Sequence, residues 1–92
     1  RKLPMSEEST TEVVSQMNAH IEQFKEMSHR ARLRIERLAE LSLAIEGELK
    51  QKEFADRVND LFSIANSFEE KMEALISDYE IERNRIENEA GS

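Results

Sequence analysis

The chain has 92 residues, enough for one small domain and below the size at which a single core comfortably outweighs chain entropy. It is 36% charged with a net charge of −7, contains no Cys, two Gly and one Pro, and is rich in Ala, Leu, Glu, Lys, Arg, Gln and Met. That composition belongs to long helices and coiled coils. It excludes a disulfide framework and a thiolate zinc site, and the acidic balance disfavours bulk attraction to nucleic acid or anionic lipid. No apolar run approaches the ~20 residues of a bilayer span, so no membrane span is expected, and a cysteine-free chain suits an intracellular, cytoplasmic setting.

Residues 1–8, with Pro4 and a candidate start at Met5, read as a flexible N-terminus, and Gly91-Ser92 as a tail or cloning scar. Ser9-Thr10-Thr11-Glu12 ahead of Val13-Val14 has the pattern of a capping box, with Ser9 as N-cap and Glu12 three residues into a helix. From there a strict 3-4 apolar spacing begins. With Val14 as position a, the a series is Val14, Ile21, Ser28, Ile35, Ser42 and Leu49, and the d series is Met17, Phe24, Ala31, Leu38, Ile45 and Lys52. A sustained seven-residue repeat of this kind predicts a left-handed supercoil against a neighbouring helix.

Within this first helix, Glu26 and His29 have the Glu-x-x-His spacing of di-iron carboxylate bundles, but the register places both away from the seam, where a metal cannot be shared. His20 lies nine residues from His29, on the opposite helix face. Ser28 and Ser42 sit in the seam with no base nearby, which suits close helix approach rather than nucleophilic chemistry. No catalytic residue, cofactor or metal is expected. Arg30, Arg34 and Arg37 follow i, i+4, i+7 and make one continuous stripe. The plain reading is a solvated face, ion-paired to carboxylates such as Glu69, Glu70 and Glu73; the functional readings are an acidic protein partner or, less favoured, phosphates. Aromatic residues for base stacking are missing from this segment, so nucleic acid is an unfavoured partner.

Gly47 is the only helix breaker between the first series and a second, and it is expected to close the first helix as its C′ residue. The second series has d positions Phe54, Leu61, Phe68, Leu75 and Glu82, and a positions Val58, Ala65, Met72, Tyr79 and Ile86. Its phase does not continue the first, since Leu49 and Val58 are both a residues standing nine apart. Two helices of about 9–46 and 50–89 would have nearly equal lengths, as an antiparallel hairpin needs. The in-helix pairs Glu46/Lys50, Glu48/Lys52 and Glu53/Arg57 support the alternative, a continuous rod. The expected fold is therefore all-α: a long antiparallel hairpin forming a single domain over 9–90, with residue i opposite about 98−i and Phe68 over Ser28 and Ala31.

Apolar residues extend beyond the seam, to Val13, Met27 and Leu41 in the first helix and Phe62, Ile64 and Ile76 in the second. A stripe of that width belongs to bundles of three or more helices. The functional expectation is a structural protein–protein interaction and oligomerisation module, a coiled-coil subunit, tether or adaptor. Its helical partners would be a second hairpin, making a homo-oligomeric dimer of hairpins, or other chains in a hetero-bundle. Met17, Ile21, Phe24, Ile35, Leu38, Ile45, Phe54, Leu61, Phe62, Phe68, Met72, Leu75, Ile76 and Tyr79 are the candidate interface residues, with Arg30, Arg34 and Arg37 as a charged partner face. The rival readings are a helical secretion or assembly chaperone and a small nucleic-acid-binding bundle.

Overall fold

A computed structural model describes residues 7–91, and side-chain environments over residues 9–90. It contains two helices, α1 (Glu7–Gly47) and α2 (Lys52–Gly91), of 41 and 40 residues, packed side by side as an antiparallel hairpin. The body measures 64 × 20 × 18 Å, the length of one ~40-residue helix at 1.5 Å per residue, so the rod is excluded. Glu7, Glu8 and Gly91 belong to the helices, while residues 1–6 and 92 lie outside the described part, with Pro4 and Met5. Because α1 begins at Glu7, Ser9 lies inside its first turn and is not the N-cap.

The chain reverses later than Gly47. Ala44 O accepts from the amides of Glu48 (2.9 Å) and Leu49 (3.3 Å), and Ile45 O accepts from Gln51 N at 3.0 Å. The residue that turns the chain is Lys50, with a left-handed φ of 57°, whereas Gly47 keeps a helical, negative φ. Gln51 O then accepts the first amide bond of α2, from Ala55 at 3.0 Å, and Glu53 stands in the first turn where the helix dipole favours a carboxylate. Lys52 pairs in-helix with Asp56 at 3.3 Å, so this lysine is engaged inside α2 and not by Glu48 across the turn.

The glycine and the strained residue are thus three positions apart. Nothing lies within 4 Å of a Cβ added at Gly47, so Gly47→Ala should gain about 0.5–1 kcal/mol from helix propensity. Lys50→Gly should gain a similar amount by relieving the ~1–2 kcal/mol cost of a left-handed L-residue. The double variant is expected to melt roughly 5–10 °C higher by circular dichroism. A lower melting point for Gly47→Ala would restore the glycine as the turning residue.

The core is a single seam. On α1 it follows the expected register: Val14, Met17, Ile21, Ser28, Ala31 and Ser42 are buried, and Phe24, Ile35, Leu38 and Ile45 are half-buried. On α2 the a series holds, with Met72 buried and Val58, Ala65, Tyr79 and Ile86 half-buried. Its other row differs from expectation. Ala55, Phe62, Glu69 and Ile76 turn inward, while Phe54, Leu61, Phe68 and Leu75 remain exposed. The two alternative rows lie ~100° apart, and because the a row is kept the packed face turns by about half of that, onto a flank that the heptad pattern assigned to the outside of α2.

The hairpin register shifts as well. The contacts Asn18–Arg83, Arg32–Glu69 and Ser42–Asn59 place residue i level with about 101−i rather than 98−i. Phe68 consequently does not cover Ser28 and Ala31; Glu69 takes that place, accepting a hydrogen bond from Ser28 Oγ at 2.5 Å.

Candidate protein-interaction surface

The two long edges of the hairpin differ in chemistry. Along one, Lys25 pairs with Glu80 (3.4 Å), Arg32 donates to Glu69 (3.1 Å) and to Glu73 (3.0 Å), and Ser42 donates to Asn59 Oδ1 (2.7 Å). Asn18 Oδ1 accepts from Arg83 at 2.9 Å on the same edge. An open groove of ≈ 450 Å³ runs between Lys25, Arg32, Glu73 and Glu80. Its charged walls are already neutralised by each other.

These pairs fix which flank of each helix lies on which edge. In an antiparallel pair, the flank of α1 carrying Lys25 and Arg32 meets the flank of α2 carrying Glu73 and Glu80. The other flanks share the second edge: Val13, His20, Met27, Arg34 and Leu41 from α1, and Phe54, Leu61, Phe68, Leu75 and Glu82 from α2. At the free end, His20 Nδ1 and Tyr79 Oη lie 3.2 Å apart across this edge, and Tyr79 packs edge-on against Phe24 with ring centroids at 5.9 Å. Toward the turn the edge is apolar and open. Met27, Leu41, Phe54, Leu61, Phe68 and Leu75 each keep 43–54% of their surface in water, with Ile64 beside them at 66%. Burying a large apolar side chain is favourable by ~1.5–3 kcal/mol, so six such residues on one edge leave a large unused driving force.

No family model, curated protein or solved structure matches this chain.

The candidate interface residues divide into two groups. Met17, Ile21, Met72 and Ile76 are buried inside the hairpin, with Phe24, Ile35, Leu38, Ile45, Phe62 and Tyr79 half-buried beside them. They hold the two helices together. Phe54, Leu61, Phe68 and Leu75 face outward and are available to a further helix. The arginines also depart from expectation. Arg30 pairs in-helix with Glu26 at 2.7 Å, whereas the bridges to Glu69 and Glu73 are made by Arg32, which the i, i+4, i+7 spacing passed over. Arg34 and Arg37 are exposed and pair with no carboxylate of the chain among the described residues. Arg57 lies over the Phe54 ring, 5.7 Å from its centroid, so a cation borders the apolar row on α2 too.

Glu26 and His29 are both on the exposed face of α1, His29 three residues along from a carboxylate already engaged by Arg30. Among the described residues no three His, Asp or Glu side chains converge as metal ligands would, and no helix is long and apolar enough to cross a membrane. At the free end, Arg85 binds both Glu82 and Glu89; its hydrogen bond holds the Glu82 carboxyl below the usual carboxylate range. That arginine is an in-helix clasp, spaced i, i+3 and i, i+4.

Proposed function

We propose that this chain is a structural interaction module, a two-helix subunit or adaptor that completes a larger helical bundle through its apolar edge. The observation that carries the reading is the row Phe54, Leu61, Phe68, Leu75, repeating every seven residues and half in water, with Met27 and Leu41 facing it from α1. A seven-residue repeat on an exposed edge is the recognition pattern for another helix, because it keeps the same side chains in register along a supercoil. Isolated surface apolars are common, but they do not align along one edge of two helices. The reading covers a permanent subunit and equally a chaperone that shields a partner's helix.

The test is the pair Leu61→Glu and Phe68→Glu. Both side chains lie outside the hairpin seam, so helix content and melting point should change little. Isolated from its native cell, the wild-type chain should migrate in a complex well above 10.7 kDa, and the double variant near that mass. A wild-type chain alone at 10.7 kDa, or a complex indifferent to both substitutions, would defeat the proposal.

A further inference from the structure

The charges around the apolar edge narrow its occupant. Arg30, Arg34 and Arg37 border it along α1, and Arg57 and Lys71 border it along α2, five of the thirteen basic residues in a chain of net charge −7. All five lie within the turn-proximal stretch of the hairpin, level with Leu41, Leu61 and Phe68. Of these five, among the described residues, Arg30 alone makes an ion pair with a carboxylate of the chain, Glu26. The cations of the opposite edge, Lys25 and Arg32, are satisfied by Glu80, Glu69 and Glu73. Unpaired positive charge is thus concentrated where apolar surface is also unburied, although acidic residues outnumber basic ones by twenty to thirteen.

Resting on the reading of this edge as a docking surface, the geometry points to an acidic amphipathic helix of another protein, packed between α1 and α2 over the turn-proximal half. Phe54 to Leu75 spans about 32 Å at 1.5 Å per residue, which is three heptads of a partner helix. Leucine- or isoleucine-like residues at its a and d positions would enter between Leu41 and Leu61 and between Met27 and Leu75. Glutamates flanking that stripe would meet Arg34 and Arg37 on one side and Arg57 and Lys71 on the other. Like charges on the wrong partner supply the discrimination.

A second copy of the chain fits the same edge poorly in each symmetric arrangement. A two-fold axis near Ile64 matches Phe54 with Leu75 and Leu61 with Phe68 of the copy, but brings Arg37 onto Arg37 and Arg57 onto Lys71. An axis at the middle of the hairpin, by Met27 and Leu75, relieves Lys71 with Asp78 yet sets Phe68 against Glu82 and Leu61 against Glu89. Placing turn beside turn stacks Arg30 and Arg34 over Lys71. Matching the apolar rows always collides the cations, and an acidic helix avoids this. A lipid surface is a weaker fit than a helix, because the apolar residues form two facing rows, that of α2 repeating every seven residues as a packed helix requires.

The experiment uses the full chain and a labelled synthetic helix of about 24 residues, with Leu and Ile at a and d and Glu at e and g. Its twin carries Lys at e and g. The acidic peptide should bind with an affinity that falls as salt rises, and the Lys twin should not bind. Arg34→Gln, Arg37→Gln and Lys71→Gln together should weaken binding about tenfold at low salt. Leu61→Glu should abolish binding. Across a hundredfold dilution the chain alone should keep one melting midpoint and a mass of 10.7 kDa. Equal binding of the two peptides, or no binding of the acidic one, overturns the proposal. So does tighter binding to phosphatidylserine vesicles than to the acidic peptide. A concentration-dependent dimer broken by Leu61→Glu overturns the acidic partner while keeping the edge as a docking surface. A chain that binds neither peptide and whose native complex ignores Leu61→Glu removes both readings.

Discussion

Ile21→Ala is expected to cost about 2–5 kcal/mol, enough to leave the isolated chain largely unfolded at physiological temperature. Ile21 is only 2% exposed, and among the described residues no other large apolar side chain is as completely covered. A two-helix hairpin has one seam and little redundancy, so a cavity there cannot be filled from a second layer. At roughly 4–8 °C per kcal/mol for a domain of this size, the melting midpoint should fall by ten degrees or more. Leu43→Ala is the control, because Leu43 is 74% exposed and its truncation should stay within about 0.5 kcal/mol. Thermal melts of the two variants decide the matter. If Ile21→Ala melts within a few degrees of wild type, the helices do not meet along the Val14–Ile21–Ser28 face.

That face was legible in the sequence because α1 offers a single choice. Its seam is flanked on one side by Asn18, Lys25, Arg32 and Glu46, and only one set of residues forms an unbroken apolar row. The second helix offers two. Val58, Ala65, Met72 and Tyr79 belong to both, and the row can be completed by Phe54, Leu61, Phe68 and Leu75 or by Ala55, Phe62, Glu69 and Ile76. Apolar counting favours the first set, and the molecule packs the second. The deciding term is polar matching across the seam. α1 places small hydroxyl residues, Ser28 and Ser42, at seam positions, and α2 answers them with Glu69 and Asn59, at 2.5 and 2.7 Å. A pattern read one helix at a time does not contain that term, although small polar seam residues were a signal that something polar had to face them.

The turn and the arginine pairing depart from the sequence pattern for related reasons. Gly47 is the only glycine near the reversal, yet Lys50, three residues beyond it, adopts the left-handed conformation, because the amides of Glu48, Leu49 and Gln51 still bond back to the Ala44 and Ile45 carbonyls. Arg30, Arg34 and Arg37 stood out by spacing, but position relative to the seam decides pairing: Arg32 flanks the seam on the acidic side and bridges Glu69 and Glu73. Moving those bridges to Arg32 left Arg34 and Arg37 without a carboxylate partner among the described residues, bordering the apolar edge. The displacement of the seam and the exposure of the candidate interface are therefore one event. The rotation that brought Glu69 in also put Phe54, Leu61, Phe68 and Leu75 out.

Glu69 is then the residue that selects between the two faces of α2, and Glu69→Leu should separate stability from specificity. The carboxylate is 7% exposed and accepts hydrogen bonds from Ser28 Oγ and Arg32 Nε. Replacing it by leucine removes a desolvated charge and adds apolar burial. Arg32 keeps Glu73, and the Ser28 hydroxyl can return to the carbonyl one turn back. Exchanging a buried ionic group for a hydrophobe of similar volume is commonly neutral or stabilising by ~1–4 kcal/mol, so the denaturation midpoint should rise or hold. The consequence for structure is the opposite. With leucine at 69, both rows of α2 become apolar, and nothing polar opposes rotation of the helix about its axis. Self-association above 10.7 kDa and loss of sharp side-chain resonances should follow, as when a polar seam residue that fixes register is removed. The reverse substitution on the other helix, Ser28→Leu, leaves the carboxylate buried without its hydroxyl donor and overfills the layer, and should cost about 3 kcal/mol or more. The two outcomes have opposite signs at one contact. If Glu69→Leu instead destabilises by more than about 1 kcal/mol while staying monomeric with sharp resonances, the carboxylate contributes net folding energy and does not choose the face.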